Sequence, residues 1–108
     1  MKTITLEGMK VILDDKEDVV LINALDKADY DKGRIPGSIN VPIDDVFEGE
    51  IKDLIRDKGR KVVVYCSGGD SQVARIAAQK LENLGFVNVF VFEGGMDEWN
   101  DAGFDQEK

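Results

Sequence analysis

Apolar positions fall into short continuous runs separated by polar turns, with one clear helical stripe between them. Val19-Val20-Leu21-Ile22, Val62-Val63-Val64-Tyr65 and Val87-Asn88-Val89-Phe90-Val91-Phe92 are such runs. Runs of this length, rich in β-branched residues, predict strands; an unbroken apolar run predicts one covered on both faces. Thr3-Ile4-Thr5 predicts a short first strand, and Ile39-Asn40-Val41 a brief edge strand stopped by Pro42. Ile35-Pro36-Gly37-Ser38 predicts a turn before that edge strand.

The intervening segments read as helices. Residues 6–13 form one, with Thr5 as N-cap and Gly8 as a weak point. Residues 27–32 form a short one closed by Gly33, and residues 44–55 two short pieces broken near Gly49. Residues 72–84 carry the clearest period: Val73, Ile76, Ala77, Leu81 and Leu84 lie on one stripe, and Gly85 ends it. Gly94-Gly95 turns the chain into a last short helix with Met96 and Trp99, expected in the core, and Gly103 beyond it. Strands alternating with helices predict βα units: an α/β fold with a parallel sheet covered on both faces.

The chain has 108 residues, which predicts a single domain over 1–108, and 43% are hydrophobic, enough for a core. A net charge of −8 speaks against nucleic acid as a partner. Lys52, Arg56, Lys58, Arg60 and Lys61 cluster, but Asp53 and Asp57 interrupt them, as on a solvated helix end and loop. No apolar leader follows Met1 and no long apolar stretch occurs, so the expectation is a cytoplasmic protein without membrane insertion. There is no histidine, which removes Cys-His dyads, Ser-His-Asp triads and histidine metal sites together.

Cys66 is the only cysteine. It ends the 62–65 run and opens a Gly-rich segment, Ser67-Gly68-Gly69-Asp70-Ser71, which leads into the 72–84 helix. In a parallel α/β sheet, ligands bind at the carboxyl ends of strands, where Cys66 falls. Loop amides and a helix N-terminus favour negative charge there, and the thiolate is the reactive form of cysteine. A buried structural cysteine has the same sequence setting, so both readings stand. Gly68 and Gly69 suit positive φ in a tight loop. Asp70 and Ser71 are good helix N-caps, and either could also line a pocket. Tyr30 and Tyr65 read mainly as packing residues.

Four segments together resemble the single-domain rhodanese-like sulfurtransferases. They are Val20-Leu21-Ile22 with Tyr30 and Gly33-Arg34-Ile35-Pro36-Gly37-Ser38-Ile39-Asn40-Val41-Pro42; Val63-Val64-Tyr65-Cys66; Leu84-Gly85-Phe86-Val87-Asn88-Val89; and Glu93-Gly94-Gly95-Met96-Asp97-Glu98-Trp99 with Ala102-Gly103. The resemblance implies a three-layer α/β/α fold with a five-stranded parallel sheet and the active cysteine after the fourth strand. It implies that Cys66 takes a sulfane sulfur from a small donor or a persulfide-bearing protein. The sulfur then passes to a thiol or cyanide-like acceptor, without metal or organic cofactor. Residues 67–71 would form the substrate-binding loop.

The departures from the family pattern bear on substrate choice. Asn23-Ala24-Leu25 stands where the family often has Asp-Val-Arg, and Arg34 where it usually has histidine. Arg34 is either a structural charge or an anion contact near the site. Thiosulfate-using members often carry Arg or Lys in the active loop; here the loop has no base and one acid, Asp70. A second cysteine that some relatives carry five positions on is Ser71 here. Three functions compete: a persulfide-forming sulfurtransferase, a rhodanese-like interaction or regulatory domain with weak or no catalysis, and a phosphatase on the same fold. The last needs Cys-x5-Arg, and the sixth residue after Cys66 is Gln72, with Arg75 a turn further on.

Overall fold

The structure is a computed structural model and describes residues 1–69 and 72–108. Its strands are β1 (Lys2–Ile4), β2 (Val20–Asn23), β3 (Ile39–Asn40), β4 (Val62–Tyr65) and β5 (Val89–Phe92). Its helices are α1 (Leu6–Asp14), α2 (Lys27–Lys32), α3 (Phe47–Leu54), α4 (Gln72–Asn83) and α5 (Gly95–Asp101). The sheet runs β1-β5-β4-β2-β3, and every pairing is parallel. All strands therefore end at one edge. Asn23, Tyr65 and Phe92 are in register there, so residues 24, 66 and 93 leave the sheet side by side.

Side-chain alternation along β4 splits the core in two. Val62 and Val64 join a cluster with Phe47 and Ile51 of α3 and Ala74, Ala77, Ala78 and Leu81 of α4. Val63 and Tyr65 join the opposite cluster, with Met9 and Ile12 of α1 and Met96 and Trp99 of α5. These are the three layers expected, and both central strands, β2 and β4, are buried along their whole length. Thr5 caps α1 by accepting from the Gly8 amide at 3.1 Å, and Asp26 caps α2 through the Asp29 amide at 3.0 Å. None of the helices among the described residues is long and apolar enough to cross a membrane.

Two helices differ from the sequence expectation. Residues 47–54 form one continuous helix through Gly49, rather than two pieces broken there. Phe47 and Ile51, one turn apart, both insert into the core, and that burial outweighs the roughly 1 kcal/mol cost of a helical glycine. On α4 the buried face is Ala74, Ala77, Ala78 and Leu81, whereas Val73 and Ile76 are 44% and 48% exposed. The helix is rotated so that its alanines meet the sheet, where only a small side chain fits between closely packed layers. The last strand also starts later than expected: Val87 is 81% exposed and only Val89–Phe92 pairs.

Candidate active site

β4 delivers Cys66 to the carboxyl edge of the sheet at its centre, between the ends of β2 and β5. The thiol is free, 3% exposed, and packs in the cluster on the α3 and α4 side. The chain then turns sharply: Gly68 has φ +113° and Gly69 φ +68°, the left-handed backbone expected for this loop.

Carbonyls and amides of two segments lock this turn. The Met96 amide donates to the Cys66 carbonyl at 3.0 Å, and the Asp97 amide to the Ser67 carbonyl at 2.8 Å. The first turn of α5, whose amides have no partner within the helix, thus finds acceptors in the cysteine loop. The approach is close enough to dictate glycine. A Cβ on Gly95 would lie 2.6 Å from the Gly68 nitrogen and 2.7 Å from the Ser67 carbonyl carbon. A Cβ on Gly68 would lie 2.5 Å from the Gly94 carbonyl oxygen. Gly94-Gly95, read from sequence only as a turn, is the clamp on the cysteine loop.

A buried polar network holds the strand end just before Cys66. The Tyr65 hydroxyl accepts from the Asn23 side-chain amide at 2.9 Å and from the Ile35 backbone amide at 3.1 Å. It donates to Ser38 Oγ at 2.9 Å, which donates to the Ile35 carbonyl at 2.7 Å. Asn23 Oδ1 accepts from the Leu25 amide at 2.9 Å, and Asn40 Nδ2 donates to the Leu25 carbonyl at 2.7 Å. Burial raises the Tyr65 pKa above its ordinary value, against the opposing pull of its hydrogen bonds with Ser38, Asn23 and Ile35. Tyr65 is therefore more than the packing residue that the sequence suggested. The legible signal was Asn23, a polar side chain within an otherwise apolar buried run, which must find partners.

The other candidate residues lie as follows. Arg34 stacks its guanidinium 4.4 Å from the Tyr30 ring centre, and its backbone pairs with Glu107 in both directions at 2.9 Å. Ser67 is exposed and lines an open cleft of about 280 Å³, together with Leu25, Lys32, Met96, Asn100 and Gln106. Arg75 bonds Glu93 Oε2 through both Nε, at 3.0 Å, and Nη2. Asp70 and Ser71, and their readings as caps or pocket residues, lie outside the described residues. Lys32 and Asp29, which also line the cleft, were not singled out from sequence, because nothing in the chain order brings α2 to Ser67.

Comparison with known proteins bears on this site. A family model described as "Rhodanese-like domain" matches residues 5–102. The Escherichia coli K12 protein "Uncharacterized protein YibN" is 31% identical over 99 residues, covering 92% of this chain and 67% of its own. A tRNA sulfurtransferase of Thermoplasma acidophilum is 39% identical over 71 residues, 66% of this chain but 13% of that protein. The crystal structure of a thiosulfate sulfurtransferase from Pseudomonas aeruginosa superposes with a TM-score of 0.86 at 27% identity, covering 99% of this chain and 20% of that one.

Proposed function

The chain belongs to the rhodanese-like domain family, and on that premise we propose that it transfers sulfane sulfur through a persulfide on Cys66. The observation that carries this reading is the placement of the only thiol at the carboxyl end of the central strand, in a loop clamped by a second segment. Thiolate chemistry suits two-step transfer, because sulfur is both nucleophile and leaving group. In the first half, the Cys66 thiolate attacks the outer sulfur of the donor. A new S–S bond forms at Sγ, the donor's bond to that sulfur breaks, and its electron pair leaves with the donor. In the second half, an acceptor nucleophile attacks the outer sulfur of the persulfide, and the Cys66 thiolate leaves. The sulfur moves with no net oxidation, so no redox partner is needed. Bonds from the Met96 and Asp97 amides to the Cys66 and Ser67 carbonyls restrain the backbone beside the thiol, which limits the reorganisation each step requires. The donor is a small sulfur compound or a persulfide-bearing protein, and the acceptor a thiol or a cyanide-like nucleophile.

Intact mass after treatment with thiosulfate, a polysulfide and cysteine persulfide, in parallel, tests this. One added sulfur on the wild type and none on Cys66→Ser is the expected result. Absence of an adduct from every donor would instead support the second reading, an interaction or regulatory domain. The observation favouring that reading is the thiol's burial at 3% exposure beside a loop sequence without a basic residue.

A further inference from the structure

We propose that Leu25 is the side chain that sets the size of molecule able to reach the Cys66 thiol. Its bearing on sulfur donors rests on the reading of Cys66 given above; its bearing on access to the thiol does not. The thiol is free but only 3% exposed, and it packs in the cluster on the α3 and α4 side. The open cleft lies on the α5 side, with Met96 of the opposite cluster in its wall and Ser67, not Cys66, in its lining. A reagent in the cleft therefore does not meet the sulfur directly. Leu25 is the one side chain among the described residues that packs against both clusters, and it also lines the cleft.

Sheet register explains this position. The Ala24 amide donates to the Tyr65 carbonyl at 2.9 Å, which carries the β2–β4 pairing one residue past the strands. Ala24 thus leaves the sheet beside Cys66 and in the same cluster, and Leu25 follows at the edge where the two layers meet. Both main-chain groups of Leu25 are held there. Its amide donates to Asn23 Oδ1 at 2.9 Å, and its carbonyl accepts from Asn40 Nδ2 at 2.7 Å. Asn23 is itself tied to the Tyr65 hydroxyl. With the backbone fixed, the way to the sulfur depends on the side chain: its rotamer, and in a variant its volume. A small reagent passes within the staggered rotamers, whereas a larger one has to push the side chain off them. Leucine carries neither charge nor hydrogen-bonding group, so it sorts reagents by size and not by charge.

The test compares N-methylmaleimide with N-phenylmaleimide, both uncharged and alike at the reacting end, by intact mass over time. In each case the Cys66 thiolate adds across the ring double bond, and solvent supplies the proton to the neighbouring carbon. The readout is the ratio of the phenyl to the methyl rate constant, in which the reactivity of the thiol itself cancels. Leu25→Ala should raise that ratio about two- to tenfold. Leu25→Met, of similar volume, should stay close to the wild type. Leu84→Ala removes the same atoms from a side chain packed on the same cluster, but just past the far end of α4. It loosens the fold and should leave the ratio unchanged. No rise in Leu25→Ala overturns the proposal; so does an equal rise in Leu84→Ala, because general loosening then admits the larger reagent. Methanethiosulfonate and benzenethiosulfonate, equal in charge and different in size, extend the test to sulfur. The thiolate bonds to the outer sulfur, the bond from that sulfur to the sulfonyl group breaks, and its electron pair leaves with the sulfinate. The ratio of kcat/KM for the larger to the smaller donor should rise in Leu25→Ala by a similar factor. If the maleimide ratio rises while neither thiosulfonate loads Cys66, the role of Leu25 stands and the transfer reading falls.

Discussion

The side-chain amide of Asn23 donates to the Tyr65 hydroxyl at 2.9 Å, joining the ends of β2 and β4 one residue before Cys66. Removing that hydroxyl leaves buried donors on Asn23 and Ile35 without an acceptor. Tyr65→Phe should therefore cost about 1–3 kcal/mol, more than a single exposed hydrogen bond is worth. Urea unfolding should show the midpoint falling with the slope unchanged. A loss below about 0.5 kcal/mol would mean that the network closes over the gap.

The same phenol sets an alkaline limit. Its folded pKa is raised above the ordinary value of 10.0 because burial disfavours the phenolate. The unfolded chain therefore gives up this proton first. The contribution is fully present below about pH 10 and is lost as pH rises toward the folded value. Tm measured from about pH 9 upward should fall more steeply for the wild type than for Tyr65→Phe. Parallel curves would show that this group does not titrate with unfolding.

Gly95→Ala should disrupt the cysteine loop. The new methyl meets the Gly68 nitrogen at 2.6 Å, and φ there is +57°. A loss above about 2 kcal/mol is expected, with sulfur transfer reduced in whatever folded fraction remains. Gly69→Ala is the control, since among the described residues, its chain neighbours aside, no atom lies within 4 Å of the added carbon; the φ of +68° opposes it, at about 1 kcal/mol. Equal losses would show that backbone strain, not the clamp, governs both positions.

The orientation of α4 is testable from its two faces. Ala77→Leu forces bulk between helix and sheet and should cost about 1–3 kcal/mol. Ile76→Lys on the exposed face should stay within about 0.5 kcal/mol. Thermal unfolding of the pair decides, and the reverse ranking would restore the stripe read from sequence.

If Cys66 accepts sulfur as proposed, the charge of the loop sequence predicts its choice of donor. Residues 67–71 hold one acid and no base. Over about 6 Å, each unit of charge on an approaching anion costs roughly 0.7–3 kcal/mol at effective dielectrics of about 80 to 20, and thiosulfate carries two. Asp70→Arg should improve kcat/KM for thiosulfate about tenfold or more and leave a neutral donor nearly unchanged. Steady-state kinetics on both donors measure this, and unchanged thiosulfate kinetics would remove loop charge from the account of donor choice.

Sequence made the sheet and the place of the thiol legible because strands buried on both faces write themselves as unbroken apolar runs. Val62-Val63-Val64-Tyr65 is such a run, rich in β-branched residues, and Cys66 follows directly. The helices were less legible. Val73 and Ile76 fit a helical period as well as Ala74 and Ala78 do, and hydrophobicity favours the larger pair. The distance between layers, which no local pattern carries, selects the alanines. Gly49 signals a break only where packing does not oppose it, and Phe47 with Ile51 opposes it here. The tail that bonds Arg34 through Glu107, the cleft that joins α2 to α5 and the Gly95 clamp are contacts between distant segments, so spacing along the chain could not show them.

The bonds from Met96 and Asp97 to the Cys66 and Ser67 carbonyls give the thiol a remote reporter. Any loading of sulfur that shifts the loop must lengthen or release those two amides, thirty residues further along the chain. If sulfur on Cys66 does shift the loop, solvent exchange of those two amides reports it without a label at the thiol itself. By the same coupling, whatever perturbs the start of α5 from outside reaches the sulfur through two hydrogen bonds.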